Sequence, residues 1–274
     1  MNTSFSGPAV LDGERITMSL YLDPSQHYLD HHRVGGMPLL GNAMAIEAMA
    51  TAAALTGEAG DLCIQCVQGP NPCFVQTPRT IHVGAERKGD RIDCQVFNGT
   101  EGREEVYFTS AMSFGAFHAP SALVPDCPGK TVSGGEVYRL YFHGPAFRVV
   151  ESAWLEGEIM FARMNRTLPP VFNKGLPVTA PRLIELCLQT AGLWEIAVSG
   201  RMLIPEQIGL IVLYKKVDEY STELTAAARK GRNGMNIILF DSEGRICVEV
   251  IDYRTAPLPF SVDENAIQKL KSQF

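Results

Sequence analysis

Two adjacent histidines, His31 and His32, lie in the stretch "YLDHHRVGGMPLLGNAMAIEAMATAAAL", directly before two glycines and an apolar run without lysine or arginine. Histidine has an ordinary pKa of about 6.5, so it can be neutral and basic at physiological pH, and partial burial lowers its pKa further. A histidine in this setting is therefore a candidate general base. The competing interpretation is structural, because a histidine beside an apolar segment is more often a satisfied core residue than a catalyst.

A carboxyl group and an amide stand four residues apart in the second half of the chain, Glu185 and Gln189 in "PRLIELCLQ". Residues at this spacing project from the same face of a helix, so the amide can fix the rotamer of the carboxyl. The neighbours of Glu185 are mostly leucine and isoleucine, which favours a pocket. A carboxyl in an apolar pocket has a raised pKa and can be protonated, as a general acid must be. Taken alone, such a glutamate would be a surface residue in most proteins.

The composition is that of a globular chain without nucleic-acid-binding character. The 274 residues are 46% hydrophobic and 20% charged, so they can bury a substantial core. This length suits one large domain or two fused modules of about 130 residues. The net charge is −6 and lysine and arginine do not cluster, which favours small molecules or carrier proteins as partners over nucleic acids.

The N-terminal sequence and the cysteines predict a cytoplasmic protein. The first residues lack the basic start and apolar core of a signal peptide, and no stretch of about 20 residues is apolar enough to span a bilayer. The seven cysteines are odd in number and scattered, which indicates reduced thiols. Cys63 and Cys66 form a C-x-x-C, but no second pair or histidine follows at zinc-finger spacing, so we expect no metal site.

The two halves of the chain repeat one order of elements, in which an apolar helix follows a strand or hairpin and precedes four strands. The helices are predicted over residues 42–55 and 181–200. The preceding strands lie in "AVLDGERITMSLYLD" and "FRVVESAWLEGEIMFARMN". The later strands lie in "DLCIQCVQ", "TIHVGAER", "DRIDCQVFNG", "EEVYFTSAMSFGAF", "IGLIVLYKKV", "STELTAAARK", "NGMNIILFD" and "ICVEVIDYRT". Each half should therefore wrap a sheet around a buried helix.

A segment rich in proline and glycine, residues 118–136, separates the two halves and reads as an extended linker. We therefore predict an N-terminal unit over residues 1–120, a linker over 121–136 and a C-terminal unit over 137–258. The remaining residues, 259–274, are predicted to form a solvated helical tail.

Two spaced motifs resemble those of polyketide synthase dehydratases. That family carries His-x-x-x-Gly-x-x-x-x-Pro in its first half, and His32, Gly36 and Gly41 hold those places here. It carries Asp-x-x-x-Gln or Asp-x-x-x-His on its second helix, and here Glu185 and Gln189 stand at that spacing.

A third motif of the same family, Tyr-Gly-Pro-x-Phe, lies between its halves, and "YFHGPAF" supplies Gly144, Pro145 and Phe147 here. The form "FHGPAF" looks similar to dehydratase-like domains of polyunsaturated fatty acid and enediyne-type iterative synthases. The resemblance implies an α+β double hotdog, two antiparallel sheets each wrapped on a central helix. It implies a 3-hydroxyacyl-[acyl carrier protein] dehydratase of polyketide or fatty-acid biosynthesis that needs no metal or dissociable cofactor.

The resemblance also implies roles for the motif residues. His32 would be the base that removes the α-proton, and Glu185 the acid that protonates the leaving β-hydroxyl. Gln189 would bond that hydroxyl or fix the carboxyl, and free N–H groups after Gly41 would stabilise charge on the thioester oxygen. The residues predicted to contact the substrate are Gly36, Gly41, Tyr141, Gly144, Pro145 and Phe147. Tyr138 and His143 are further candidates for the lining, and for Tyr141 the alternative is packing with its hydroxyl bonded across the turn.

The implied main partner is an acyl carrier protein that delivers the substrate on a phosphopantetheine arm, with other synthase subunits or a second copy of the chain as further partners. Arg33, Arg148 and Arg182 are candidates to dock the acidic carrier because they lie beside the motifs. His31 is expected to be exposed or to support the site from behind.

Two departures from the family pattern leave other functions open. Glu185 replaces an aspartate, and its extra methylene moves the carboxyl by roughly 1 Å, enough to slow a reaction about a hundredfold. Gly41 replaces a proline and loosens the loop after the histidine. One alternative is a catalytically impaired dehydratase-like domain that binds acyl chains or serves as a scaffold. The others are an enoyl isomerase and a product-template-like cyclase.

Overall fold

The computed structural model describes residues 5, 7–57, 59–99, 103–125, 129–172, 177–214, 223–258 and 262–274. Cys127, the predicted strand ends at 215–217 and 221–222, and tail residues 259–261 lie outside this description. Within it, no helix is both long and apolar enough to cross a membrane. No group of three or more His, Cys, Asp and Glu side chains in these ranges is placed to hold a metal ion.

The first half of the chain forms a hairpin, a loop with the two histidines, one long helix and four long strands. These elements are β1 (Ala9–Asp12), β2 (Arg15–Leu22), α1 (His27–Asp30), β3 (Arg33–Val34), β4 (Met37–Pro38), α2 (Asn42–Ala54), β5 (Asp61–Gln68), β6 (Arg79–Lys88), β7 (Arg91–Asn98) and β8 (Glu105–Gly115). Buried and more exposed residues alternate along β2, as expected for a strand with one face on a core.

The second half repeats the pattern after a short strand and a helical turn. Its elements are β9 (Val132–Ser133), α3 (Gly134–Val137), a 3₁₀ turn (Pro145–Phe147), β10 (Val150–Glu156), β11 (Ile159–Met164), α4 (Pro181–Trp194), a π-helical segment (Glu195–Ser199), β12 (Leu203–Leu213), β13 (Leu224–Lys230), β14 (Met235–Asp241), β15 (Ile246–Pro257) and α5 (Glu264–Lys271).

The described strands, apart from the small β3–β4 pair, form one 13-stranded sheet in the order β1-β2-β6-β7-β8-β5-β12-β15-β14-β13-β11-β10-β9. The two halves follow the same topology. The strand before the helix pairs with the second strand after it, and the first strand after the helix lies at the other edge, in β2-β6-β7-β8-β5 and again in β11-β13-β14-β15-β12. The predicted double hotdog is confirmed. Its two sheets are joined, because β5 and β12 pair antiparallel with Ile64 opposite Ile211.

The two central helices form where the sequence predicts them. Every residue of α2 after Asn42 is buried, and the helix is rich in alanine, whose small side chain allows close packing against a wrapped sheet. Helix α4 begins with Pro181 and passes through the π-helical segment to Gly200, which ends it in the left-handed conformation at φ 65°. The helices contact each other, so the two cores are continuous.

The linker and the tail are more ordered than the sequence suggests. Within the predicted linker, β9 pairs with β10, and Ser121 forms a bridge with Arg245. The tail was predicted to be solvated, but Ile267 and Leu270 of α5 are buried against the core, so this prediction is wrong for one face of the helix. The boundaries of the two units remain a prediction.

Candidate active site

A cavity of about 450 Å³ opens where the two hotdogs meet. The first hotdog contributes His32 and Gly41 to its wall, and the second contributes His143, Glu185 and Gln189. The rest of the lining is largely apolar and includes Phe74, Phe108, Leu188, Met202, Leu203 and Ile204. The cavity has the size and the few convergent polar groups of a small-molecule site.

His32 is held with one ring nitrogen bonded and the other available. Its Nδ1 lies 3.1 Å from the carbonyl oxygen of Leu39, so Nδ1–H donates there and the lone pair is left on Nε2. Burial, followed by the neighbouring charge of His143, lowers the pKa of His32 to about 4. The ring is therefore neutral at physiological pH, which is the state that a general base requires.

His31 is half-buried and hydrogen-bonded, so the expectation that it is exposed is wrong. Its Nδ1 accepts a hydrogen bond from the backbone N–H of Ala146 at 3.1 Å, and its carbonyl oxygen accepts one from Gly144 at 2.8 Å. The ring also stacks on His27, with 5.2 Å between centroids. His31 thus holds the Gly-Pro turn of the second hotdog against the first.

Glu185 is buried and takes both of its described side-chain hydrogen bonds on one oxygen. Its Oε1 lies 3.1 Å from Nε2 of His143 and accepts a bond from Nε2 of Gln189 at 2.9 Å. Gln189 Nε2 also donates to the carbonyl oxygen of Phe147 at 3.0 Å, and Gln189 Oε1 accepts from the hydroxyl of Tyr138 at 2.7 Å. Both N–H groups of the amide are thus occupied, so the geometry favours a role in fixing the carboxyl over a bond to the leaving hydroxyl.

The pKa of Glu185 moves opposite to the sequence-based expectation. Burial alone raises the pKa of this carboxyl, but the hydrogen bond from His143, followed by the charges that His143 and His32 carry when they are protonated, holds the pKa below its ordinary value. The expected raised pKa is therefore wrong. The reason is that the pocket around Glu185 is apolar in its walls but places two nitrogen donors at the carboxyl itself.

His143 joins the two proposed catalytic residues. It forms a backbone bridge with His32, and the centroids of the two rings are 5.4 Å apart. Its side chain is 7% exposed and contacts Glu185 on the other side. The sequence identifies His143 as a candidate for the lining, but the contact with Glu185 spans 42 residues and depends on how the turn packs on α4, which no local pattern shows.

The six residues predicted to contact the substrate divide into two groups. Gly41 and Tyr141 line the cavity, and the hydroxyl of Tyr141 also lies 3.3 Å from the carbonyl oxygen of Gln189, as in the packing alternative. Gly192 makes room for this tyrosine, because a Cβ there would lie 2.6 Å from the hydroxyl oxygen. The predicted substrate contacts that the cavity lining does not include are Gly36, Gly144, Pro145 and Phe147.

Three of these four residues, Gly36, Gly144 and Phe147, lie instead in a turn or in packing contacts next to the two histidines. Gly36 adopts φ 82° in the turn between β3 and β4, which explains the glycine there. Gly144 lies directly on His31, where a Cβ would be 2.8 Å from the Cα atom of that histidine. The ring of Phe147 is buried at 6.1 Å from the His32 ring, edge to face, whereas Pro145 is exposed.

Gly41 has a different role from the loosening predicted for the loop. A Cβ at this position would lie 2.8 Å from Nε2 of His32, so glycine makes room for the imidazole. Gly41 is also the N-cap of α2, and the following N–H groups of Asn42 and Ala43 have no acceptor within the described residues. Of these two residues Asn42 lines the cavity, so its N–H group is placed near a ligand there.

Two cavity residues carried no sequence signal that singled them out. Tyr253 in β15 is 3% exposed and lines the cavity, but in the sequence it is one aromatic residue of a strand. Asn71 lies on the exposed loop between β5 and β6 and lines the cavity as well.

The three candidate docking arginines differ in exposure. Arg182 is 2% exposed and donates to the carbonyl oxygens of Ala146 and Pro169, so its prediction as a docking residue is wrong. Arg33 remains partly exposed in an ion pair with Asp30 at 2.7 Å. Arg148 is exposed, donates to the carbonyl oxygen of His143 and lies over the ring of Tyr138.

Comparison with known proteins gives one family and many structural neighbours. The family model described as the N-terminal domain of polyketide synthase dehydratases matches residues 116–265, more than half of the chain. No curated protein matches the chain significantly. Among solved structures, the dehydratase domain of RzxB from Pseudomonas fluorescens is 17% identical with a TM-score of 0.77, covering 93% of this chain and 99% of that one.

Two further dehydratase structures are similar at comparable identity. A trans-AT polyketide synthase dehydratase domain from Brevibacillus brevis is 16% identical with a TM-score of 0.77, covering 94% of this chain and 99% of that one. The dehydratase domain from the CurF module of curacin polyketide synthase is 17% identical with a TM-score of 0.74, covering 92% of this chain and 98% of that one. At these identities the likeness shows the fold.

Proposed function

Because this chain belongs to the polyketide synthase dehydratase family, we propose that it removes water from a 3-hydroxyacyl thioester carried by an acyl carrier protein and forms the 2-enoyl thioester. The observation that carries the proposal is the meeting of His32 and Glu185, which come from different hotdogs, in one largely apolar cavity. Such an elimination needs a base and an acid at opposite ends of the same short stretch of substrate.

His32 is the proposed base and Glu185 the proposed acid. Nε2 of His32 takes the α-proton, the electron pair of that C–H bond forms the Cα=Cβ bond, and the Cβ–O bond breaks. The carboxyl of Glu185 gives a proton to the departing hydroxyl, which leaves as water. The tautomer that the Leu39 carbonyl imposes on His32 supports the first role. The position of Glu185 in the same cavity wall supports the second.

The substrate carbonyl is proposed to lie at the start of α2. Negative charge grows on the thioester oxygen as the α-proton leaves, and the unpaired N–H groups of Asn42 and Ala43 can donate to it. This placement would bring the α-carbon beside His32, because Gly41 packs directly against the imidazole. The acyl chain would then occupy the apolar part of the cavity.

Inactive variants of two proteins with similar structures support a histidine and an acid as the catalytic pair. The curacin dehydratases CurJ and CurK are each described as inactive when one histidine is replaced by phenylalanine, and CurK also when one aspartate is replaced by asparagine. Glu185 is the acid that this chain offers in the cavity beside His32. We further propose that the reaction needs no metal or dissociable cofactor and takes place in the cytoplasm.

A hydration assay tests the proposal, because the elimination is reversible. The purified chain is incubated with crotonyl and longer 2-enoyl thioesters on an acyl carrier protein, and the loss of enoyl absorbance is followed. We expect turnover by the wild type and a fall in kcat/KM of about 10³-fold for His32→Ala, within the range for a lost general base. The control is His118→Ala, which changes an exposed histidine that does not line the cavity and should leave the rate unchanged.

The proposal fails if the wild type and His32→Ala are equally silent at every chain length while both remain folded. Equal, measurable rates for the two proteins would leave a dehydratase but remove His32 from its mechanism.

A further inference from the structure

We propose that His143 is a positioning residue that shares one proton with Glu185 and supplies, through the carboxyl, the proton that the leaving hydroxyl takes. This inference rests on the proposed function, and it adds a third titratable group to a mechanism that the sequence assigns to His32 and Glu185 alone.

The first observation is the contact itself. Nε2 of His143 lies 3.1 Å from Oε1 of Glu185, with side chains that are 7% and 8% exposed. At this distance, a proton can be shared between a buried imidazole and a buried carboxyl. Both side chains line the cavity, so the shared proton lies in the wall that the substrate contacts.

The second observation is an unsatisfied atom. Nδ1 of His143 is buried and has no hydrogen-bond partner within the described residues. A buried polar atom without a partner costs about 1–3 kcal/mol, and a residue that only filled space could be apolar and avoid this cost. The ring packs on Phe142 at 4.3 Å between centroids, so its surroundings would accept an aromatic hydrocarbon. We take the imidazole to be retained for its proton.

The third observation is that two departures from the family motifs touch each other. Glu185 stands where the motif has aspartate, and His143 precedes Gly144-Pro145 where the motif has tyrosine. The pair differs chemically from aspartate with tyrosine, since an imidazole exchanges a proton near neutral pH and a phenol, with an ordinary pKa of about 10, does not.

The proton balance of the step is as follows. In the proposed resting pair, His143 is an imidazolium with a proton on each nitrogen and Glu185 is a carboxylate, and the lowered pKa of that carboxyl is consistent with this state. During elimination, one proton moves from His143 to Glu185 and on to the hydroxyl, while His32 takes the α-proton. The products are the enoyl thioester, water, neutral His143 and protonated His32. Loss of one proton from His32 to solvent and gain of one by His143 restores the enzyme.

Several groups around the pair influence its titration. His32 faces the His143–Glu185 pair from the first hotdog. A positive charge on His143 lowers the pKa of His32, so the proposed base stays neutral while the pair carries its proton. The other titratable or charged groups that face the pair, from its own segment and from the elements packed on it, are Tyr138, Tyr141, Arg148 and Tyr253.

The test compares His143→Tyr and His143→Phe with the wild type over a range of pH in the dehydration direction, with a 3-hydroxyacyl thioester on the carrier protein and the gain of enoyl absorbance as the readout. Tyrosine restores the family motif and can still donate a hydrogen bond to Glu185, but it cannot supply a proton near neutral pH. We expect the alkaline limb of kcat to move down by about one pH unit in both variants, because an ordinary glutamate pKa is about 2 units below that of histidine and burial offsets part of the difference. The loss of kcat is then about tenfold above the limb and small below it, with KM within about twofold.

A second measurement does not depend on turnover. The carboxyl of Glu185 is followed by difference infrared spectroscopy, with Glu185→Gln identifying its bands. We expect a carboxylate in the wild type at neutral pH and a larger protonated fraction in His143→Phe, because removal of the donor leaves burial as the main influence on the pKa.

The inference is overturned by a uniform loss of kcat at every pH, by an unchanged profile, or by identical titration of Glu185 in all proteins. The failure of the proposed function looks different. In that case the wild type gives no dehydration at any pH, and the infrared comparison alone decides whether the pair shares a proton.

Discussion

Glu47 on α2 and Glu185 on α4 are both buried on the central helix of their hotdog, and the two glutamates are held in different ways. Glu47 on α2 accepts hydrogen bonds from the backbone N–H groups of Val178 and Thr179 and from the hydroxyl of Thr179, at 2.6–2.7 Å. Glu185 on α4 accepts from two side chains, Gln189 and His143. Glu47 does not line the cavity, whereas Glu185 does.

The difference separates Glu47, a carboxylate with a structural role, from Glu185, the carboxylate proposed to take part in catalysis. Backbone N–H groups and the hydroxyl of Thr179 cannot take up or release a proton near neutral pH, so these described donors fix the position of Glu47. They belong to the segment just before α4, so the glutamate of the first hotdog anchors the start of the helix that carries Glu185. The imidazole beside Glu185 can exchange a proton, and the amide beside it fixes the rotamer. Burial alone therefore does not identify an active carboxyl, because the nature of its donors decides.

The largest expected effect is the loss of activity when Glu185, the proposed acid, is replaced. Glu185→Gln keeps the size of the side chain and removes its proton, so we expect kcat for hydration to fall about 10³-fold, within the range for lost general acid catalysis. The melting midpoint should stay within about 3 °C of the wild type, because an amide can still accept at Oε1. A Glu185→Gln protein that kept full activity would remove the acid assignment and the contrast between the two glutamates.

The second-largest expected effect is the loss of stability when Glu47 is replaced. Glu47→Gln replaces one acceptor oxygen by an amide NH₂ that must face a backbone donor. We expect a loss of about 3 kcal/mol in the free energy of unfolding, as for a buried group left with an unsatisfied partner, and a melting midpoint lower by about 8 °C. The folded variant should retain kcat within about threefold, since the cavity lining is unchanged. A hundredfold loss of kcat with unchanged stability would reverse the two roles.

The sequence predicts the elements of this fold because their signals are local. The alanine-rich run of α2, the proline at the start of α4 and the alternating strands each act within a few residues, and their order repeats in both halves. The continuity of the sheet through β5 and β12 could not be predicted, because it joins strands about 140 residues apart. The packing of Ile267 and Leu270 against the core could not be predicted for a similar reason. The sequence pattern of a short amphipathic helix is the same whether the helix packs on the core or lies free in solvent.

The sequence predicts most residues of the candidate site, but it does not predict which of them contact each other. The motif spacing identifies His32, Gly41, Glu185 and Gln189, and all four line the cavity. The motif gives no contact between Glu185 and His143, and it is this contact that reverses the expected shift in the pKa of the carboxyl. A sequence shows which groups can titrate, but the direction of a shift depends on neighbours that only the packing of the two hotdogs brings together.

The smallest expected effect is a loss of unfolding free energy at acidic pH, which arises because the folded chain keeps His32 neutral. Burial, followed by the charge of His143, lowers the pKa of His32 to about 4 in the folded chain, whereas an unfolded histidine has an ordinary pKa of about 6.5. As the pH falls from about 6.5 to 4, the unfolded chain binds a proton that the folded chain does not, so stability falls over this window and levels off below it.

His32→Phe removes this linkage and keeps an aromatic ring among Phe142, His143 and Phe147. Between pH 6.5 and pH 4, the wild type should lose about 1 kcal/mol more unfolding free energy than His32→Phe, a value reduced from the full shift because His32 is partly exposed in the cavity wall. Urea unfolding of both proteins at several pH values measures the difference. Parallel curves would mean that His32 takes its proton equally well in the folded chain, and it would then be a poor candidate for a base that must be neutral.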